Sequence, residues 1–115
     1  MPTSLKIKID SSVAEIELNR PDKANAIDEE LWFALGDCFR ELDENEAVRV
    51  CILSGAGSHF TSGIDLKFLQ AVAQEVENFD CEGRKREYLR RKILKLQAAF
   101  TQIEQCRKPV LAAIH

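Results

Sequence analysis

Apolar and polar residues alternate in two short segments near the start of the chain. Residues 5–9 (LKIKI) and 14–18 (AEIEL) each have a period of two, and residues 10–13 between them have a turn-like composition. A period of two places one face of each segment in a core, so the pattern predicts a β-hairpin. Residues 19–26 are polar and interrupted by Pro21, and this segment is predicted to be a loop.

Three later segments have the apolar spacing of helices. The first is predicted to begin after a cap at Asp28 and to end near Asn45. Its apolar face comprises Leu31, Leu35, Cys38, Phe39 and Leu42. Residues 66–76 predict a second helix, and residues 77–83 predict a loop. The third helix is predicted to bury a stripe formed by Leu89, Ile93, Leu96, Phe100 and Ile103.

Two further runs are almost continuously apolar. Residues 48–53 are interrupted only by Arg49, and residues 110–114 follow a helix stop at 107–109. Such runs are typical of strands in parallel sheets, which are buried on both faces. A buried strand needs a following element to cover it. The run at 110–114 therefore predicts that these 115 residues are the N-terminal part of a longer domain.

Composition and charge exclude several classes of partner. The chain has 115 residues, enough for one small domain, with 45% apolar and 30% charged residues. Its net charge of −3 gives no reason to expect a nucleic-acid partner. No apolar run approaches the roughly 20 residues that span a bilayer, so no membrane partner is expected.

The four cysteines indicate neither a metal site nor a disulfide framework. They form no Cys-x-x-Cys pair and lack the spacing of metal ligands, at Cys38, Cys51, Cys81 and Cys106. The first residues of the chain also lack a secretory apolar region. We therefore interpret the cysteines as reduced thiols of an intracellular protein, and we expect no metal.

A glycine-rich turn, residues 54–66 (SGAGSHFTSGIDL), joins the predicted strand at 48–53 to the predicted helix at 66–76. Backbone N–H groups at such a junction can hold a carbonyl oxygen that gains negative charge, without any catalytic side chain. Simpler alternatives are that Gly55, Gly57 and Gly63 only form turns and that His59 is solvated. Asp65 fits a helix cap better than a catalytic acid.

The order of these features closely resembles the crotonase family, also called the enoyl-CoA hydratase/isomerase family. The resemblance rests on NRP at 19–21, NA at 25–26, FTSGIDL at 60–66 and KPVLAAIH at 108–115. It covers almost the whole chain. It implies an α/β fold, the crotonase-like ββα superhelix, of which residues 1–115 would be the N-terminal part of the spiral.

The resemblance also implies which residues form the site. Family members bind acyl-CoA thioesters, and the first oxyanion donor would be the backbone N–H of Ile64, with Gly63 permitting close approach. Substrate-binding positions would be Ser62, Gly63, Ile64, Asp65, Leu66, Lys67, Lys23 and Ala24. Lys67 would meet a phosphate of coenzyme A, which is part of the substrate, so no separate cofactor is expected.

Within the family, the residues around Ile64 and the segment that ends at His115 are most similar to those of dienoyl-CoA isomerases. The resemblance therefore implies isomerisation of a dienoyl-CoA or, as the alternative reaction, hydration of an enoyl-CoA. The second oxyanion donor and the proton-transferring carboxylates would lie beyond His115, so residues 1–115 alone are expected to be inactive. The alternative is a non-catalytic crotonase-like binding or scaffold module. The resemblance further implies a homo-oligomer, trimer or hexamer, in a mitochondrion, peroxisome or bacterial cytoplasm.

Overall fold

A four-stranded mixed sheet forms one layer of the protein. The computed structural model describes residues 2–115. The strands are β1 (Leu5–Asp10), β2 (Val13–Leu18), β3 (Val50–Gly55) and β4 (Val110–Ala112), in that order across the sheet. The pair β1–β2 is antiparallel, which confirms the predicted hairpin, and the pairs β2–β3 and β3–β4 are parallel.

The chain has three helices, α1 (Glu29–Glu44), α2 (Leu66–Glu77) and α3 (Glu82–Gln105), of which α1 packs on the sheet and α3 packs mainly on α1. The predicted cap of α1 is confirmed, because Asp28 Oδ1 accepts a hydrogen bond of 2.9 Å from Leu31 N–H. The five apolar residues predicted for one face of α1 are all buried. They pack on the sheet in a core that also contains Leu5, Ala14, Ile16, Leu18, Ile27, Ala34, Val48 and Cys51.

The boundaries of two predicted strands are wrong. The strand β3 begins at Val50, because Val48, though only 2% exposed, lies in a turn where its N–H donates to Asn45 O at 3.1 Å. The strand β4 ends at Ala112, and Leu111 is 57% exposed. No other element within residues 2–115 covers the outer edge of β4, which is the last strand of the sheet.

The orientation of α3 differs from the predicted apolar stripe. Leu89 and Ile93 are 39% and 43% exposed, whereas Lys92 and Ala99 face the other helices with exposures of 13% for the lysine side chain and 8% for the alanine. A Cβ on Gly36 of α1 would lie 2.9 Å from Ala99 Cα, so the two backbones meet closely at this point. This contact fixes the rotation of α3, and only the C-terminal half of the stripe packs as predicted. The loop before α3 is also shorter than predicted, at residues 78–81.

Within the described residues, none of the helices is both long and apolar enough to cross a membrane.

Candidate functional site

Two loops meet beside the N-terminus of α2 and enclose a cavity of about 560 Å³. One is the loop after β2, which contains a short 3-10 helix, Pro21–Lys23, and the other is the glycine-rich turn after β3. The cavity is lined by Arg20, Lys23, Ala26, Ser62, Ile64, Asp65, Leu66 and Lys67. Six of the eight residues predicted for the site therefore line one space.

The two remaining predicted residues, Ala24 and Gly63, do not line the cavity but accept backbone hydrogen bonds between the segments that border it. The carbonyl oxygen of Ala24 accepts a hydrogen bond of 3.0 Å from Ser62 N–H. The carbonyl oxygen of Gly63 accepts one of 2.8 Å from Ile27 N–H. All eight predicted residues thus line the cavity or accept hydrogen bonds between the segments that border it.

The backbone N–H of Ile64 differs from those of its neighbours. The adjacent amides all have acceptors, with Ser62 N–H on Ala24 O at 3.0 Å, Gly63 N–H on Thr61 Oγ1 at 3.1 Å and Asp65 N–H on Ile27 O at 2.9 Å. No acceptor within residues 2–115 is found for Ile64 N–H. In a trans peptide the C=O and N–H point in opposite directions. Because Gly63 O is bonded to Ile27, the Ile64 N–H is directed away from Ile27.

Glycine is required at two positions of the turn, for a different physical reason at each. A Cβ on Gly55 would overlap the carbonyl oxygens of Phe60 and His59, so the turn can fold back over the end of β3 only with glycine there. Gly63 has a φ of +101°, which other residues rarely adopt, and a Cβ on it would meet no atom of residues 2–115 within 4 Å. The space next to Gly63 is therefore open.

A buried asparagine joins the two loops, and the sequence reasoning missed this role. Asn25 is 0% exposed, and its Oδ1 accepts a hydrogen bond of 2.7 Å from Arg20 N–H. Its Nδ2 donates to Ala56 O and to His59 O, each at 2.8 Å. Asn25 has a φ of +55°, a conformation that asparagine tolerates better than most residues. An asparagine in a polar loop could have been noted as a residue that bonds loop backbone, but its partners are distant in sequence and could not be predicted.

Asp65 is a helix cap, as predicted. Its Oδ1 accepts a hydrogen bond of 2.8 Å from Lys67 N–H at the start of α2. Its Oδ2 accepts a hydrogen bond of 3.1 Å from Arg20 Nη1, a contact that no local sequence pattern predicted. Burial by itself would raise the pKa of Asp65, but the bonds from Lys67 N–H and from the Arg20 guanidinium outweigh it and hold that pKa below its ordinary value. Asp65 is therefore ionised at neutral pH.

Other candidate chemistry lies outside the cavity. His59 is exposed and does not line it, in agreement with its reading as a solvated residue. The four cysteines are free thiols. Burial raises the pKa of Cys38 to about 12 and that of Cys51 to about 11, which makes both poor nucleophiles. In the described part of the chain, no group of three or more His, Cys, Asp or Glu residues could hold a metal ion.

Comparison with known proteins identifies the family. A sequence model described as enoyl-CoA hydratase/isomerase matches residues 8–115. The chain belongs to the enoyl-CoA hydratase/isomerase family. Solved structures of the family share the fold. An enoyl-CoA hydratase/carnithine racemase from Magnetospirillum magneticum has a TM-score of 0.79 at 26% identity, over 99% of this chain and 39% of the other. An enoyl-CoA hydratase from Mycobacterium smegmatis has a TM-score of 0.75 at 29% identity, over 99% and 40%.

Among curated members of the enoyl-CoA hydratase/isomerase family, dienoyl-CoA isomerases are highly similar. The peroxisomal Delta(3,5)-Delta(2,4)-dienoyl-CoA isomerase of Arabidopsis thaliana is 49% identical over 106 residues, which are 92% of this chain and 38% of that protein. The mitochondrial enzyme of the same name from Mus musculus is 43% identical over 103 residues, 90% of this chain and 31% of that protein. The chain thus spans less than two-fifths of the length of these relatives. The predicted family and crotonase-like fold are confirmed.

Proposed function

We propose that the complete protein binds an acyl-CoA thioester in the cavity and stabilises its enolate through the Ile64 N–H. The observation that carries this proposal is the unpaired Ile64 amide between neighbours that are all bonded. Ile64 itself lines the cavity. A backbone donor without a protein acceptor, beside open space at a glycine, suits a ligand oxygen that gains negative charge.

The donor is held in position before any substrate arrives. The two hydrogen bonds between Ile27 and the chain on either side of Ile64, at 2.8 and 2.9 Å, fix both peptide planes. A fixed donor loses little reorganisation energy when charge develops, which is the basis of oxyanion stabilisation in enzymes. Removing one such donor costs on the order of 10²–10³ in kcat.

The reaction that we favour is the isomerisation of a dienoyl-CoA, because the two similar relatives carry that name. In a shift from 3,5 to 2,4 double bonds, a proton leaves carbon 2 of the acyl chain and another is added at carbon 6. The intermediate is an extended enolate, in which the new C1=C2 bond is conjugated with the two existing double bonds, and its negative charge lies partly on the thioester oxygen. The hydrogen bond from Ile64 N–H strengthens as that charge forms, so it favours the transition state over bound substrate.

The proton-transferring groups are proposed to lie elsewhere in the complete protein. The carboxylate that lines this cavity, Asp65, has both oxygens engaged, with Lys67 N–H on one and Arg20 on the other. It therefore does not suit a general base. As expected from the family resemblance, we place those carboxylates C-terminal to His115. By this proposal, residues 1–115 alone bind weakly and do not turn over.

Two lysines are proposed to recognise the phosphates of coenzyme A, which enters as part of the substrate. Lys23 and Lys67 lie on the two loops that border the cavity. Each solvent-accessible contact of this kind is worth on the order of 1 kcal/mol and weakens as salt is added.

The test uses the complete protein and two substrates, a 3,5-dienoyl-CoA and a 2-enoyl-CoA. Isomerisation is followed by the ultraviolet absorbance of the newly conjugated thioester, and hydration by the loss of absorbance from the 2-enoyl thioester. An Ile64 variant in which an ester replaces the backbone amide removes the N–H and also weakens Gly63 O as the acceptor for Ile27 N–H. The same replacement at exposed Ser58 is the control, because it also weakens a carbonyl that accepts a hydrogen bond, Gly57 O. We expect kcat to fall by about 10²–10³ for the Ile64 ester and to change little for the Ser58 ester.

Two results would contradict the proposal. Unchanged turnover by the Ile64 ester would show that its N–H does not hold the reacting oxygen. Tight binding of the CoA esters without turnover of either would instead support the non-catalytic binding module.

A further inference from the structure

One arginine contacts both chain segments of an isolated β-bridge that supports the proposed donor. The bridge pairs Ile27 with Ile64 in parallel orientation and has no neighbouring ladder bonds. Arg20 Nη1 donates to the carbonyl oxygen of Ala26 at 2.5 Å and to Asp65 Oδ2 at 3.1 Å. Ala26 directly precedes Ile27, and Asp65 directly follows Ile64. The guanidinium therefore joins the two segments at points adjacent to the bridge.

This connection is partly buried and charge-assisted. The side chains of Arg20 and Asp65 are 19% and 14% exposed. Hydrogen bonds between ionised partners are roughly twice as strong as neutral ones, and shielding from solvent reduces their screening. By contrast, the bridge itself contributes two ordinary backbone hydrogen bonds. Other neutral hydrogen bonds also join the two loops, among them Ser62 N–H to Ala24 O and Thr61 Oγ1 to Asn25 O. The ion pair is the charged contact that lies next to the Ile64 peptide.

The same arginine organises its own loop. Its carbonyl oxygen accepts hydrogen bonds from Lys23 N–H at 3.0 Å and from Asn25 N–H at 2.9 Å. A second carboxylate, Asp28 at the cap of α1, lies 3.8 Å from Arg20 Nη1. Arg20 therefore touches the loop, the start of α1 and the start of α2, which are the three parts that meet at the cavity.

We propose that Arg20 is a positioning residue that sets the direction of the Ile64 N–H through Ala26 and Asp65. This inference rests on the proposed function, in which that N–H holds the thioester oxygen. Without the guanidinium, Asp65 still caps α2 through Lys67 N–H, so the helix persists. The bridge, however, loses its charged link, and the Ile64 peptide gains freedom to rotate. Small misplacements of a catalytic group are costly, on the order of 10-fold to 100-fold in rate.

The experiment uses the complete protein with Arg20→Gln, Arg20→Lys and the control Arg40→Gln. Arg40 lies on α1 with its side chain 61% exposed, and its one ion-pair partner among residues 2–115 is Asp37, three residues away. Steady-state kcat and KM are measured with a 3,5-dienoyl-CoA. Amide hydrogen exchange of the segment 60–66 is measured by mass spectrometry without ligand, and thermal unfolding reports whether each variant is folded.

For Arg20→Gln we expect kcat to fall by about 10-fold or more, while KM changes by less than about threefold. Exchange in segment 60–66 should become faster at the same time. Arg20→Lys keeps the charge and should recover part of the loss, and Arg40→Gln should match the parent in every measurement. If Arg20→Gln does not fold, the kcat and exchange of Arg20→Lys, compared with the parent, decide the question.

Two results would overturn the inference. A raised KM with unchanged kcat and unchanged exchange would make Arg20 a phosphate contact rather than a positioning residue. Unchanged kinetics and exchange would show that the bridge holds the peptide unaided. If the parent turns over no CoA ester while Arg20→Gln still accelerates exchange in the segment, the proposed function fails and the structural role of Arg20 stands.

Discussion

Replacing Gly63 by alanine tests whether the conformation of the glycine-rich turn matters, because the structure separates strain from steric overlap at this residue. The added Cβ would meet no atom of the described residues within 4 Å, so no collision is expected. The φ of +101° is unfavourable for alanine and costs about 1–3 kcal/mol. The loss of chain entropy in the unfolded state offsets about 0.4–1 kcal/mol of this. The net expectation is a loss of about 1 kcal/mol in the free energy of unfolding, within a range of about 0–2.6 kcal/mol.

The same substitution at Gly83 is the matched control. Gly83 lies in the first turn of α3, its Cβ would also meet nothing within 4 Å, and its φ is not positive. Alanine favours a helix over glycine by up to about 1 kcal/mol, so Gly83→Ala should leave stability unchanged or raise it. Urea denaturation of the complete protein measures both variants, with the control showing what an added methyl group does without strain.

The backbone strain in the Gly63→Ala variant should also alter the position of the proposed donor. Relief of an unfavourable φ rotates the peptide between Gly63 and Ile64, which carries the proposed donor. We expect kcat for a dienoyl-CoA to fall by on the order of 10-fold in Gly63→Ala and to be unaffected in Gly83→Ala. A Gly63→Ala protein as stable and as active as the parent would refute the reasoning, because it would mean that the positive φ is neither required nor coupled to the donor.

Two further outcomes are expected. Asn25→Ala should lower the free energy of unfolding by about 2–4 kcal/mol, because it leaves the partly buried N–H of Arg20 and the carbonyl groups of Ala56 and His59 without their partner. Asn19→Ala removes one exposed hydrogen bond and should cost less than about 1 kcal/mol, so equal losses in urea denaturation would contradict this. At pH 8 a thiol reagent should label exposed Cys81 rapidly in the native protein, and it should label Cys38 and Cys51 only upon unfolding. Burial raises the pKa of these two buried thiols to about 12 and about 11, so they are protonated at pH 8. Rapid labelling of either in the folded protein would show that the core opens locally.

The glycine-rich turn illustrates how far sequence reasoning reached into the site. The chain order of strand, glycine-rich turn and helix predicted backbone donors at this junction, and the family resemblance assigned the donor to Ile64. The partners that hold it were not predictable. Ile27 lies 37 residues earlier in the sequence, and Arg20 lies 45 residues before Asp65. Pairs at such separations leave no periodic signal, and their meeting depends on the parallel pairing of β2 with β3.

The sequence by itself determined the kind and order of the elements, because periods of two and of 3.6 residues state directly which face of each segment is apolar. It also determined that Asp28 caps a helix, that a glycine-rich turn containing Gly63 joins a strand to a helix, and which family the chain belongs to. Only the tertiary structure decided how α3 is rotated, where the close contact of Gly36 with Ala99 outweighs the apolar stripe that contains Ile93. The tertiary structure likewise decided which amides are bonded and which is left free. Hydrogen bonds between distant segments depend on where whole elements pack, and that arrangement is a property of the complete set of contacts rather than of any local pattern.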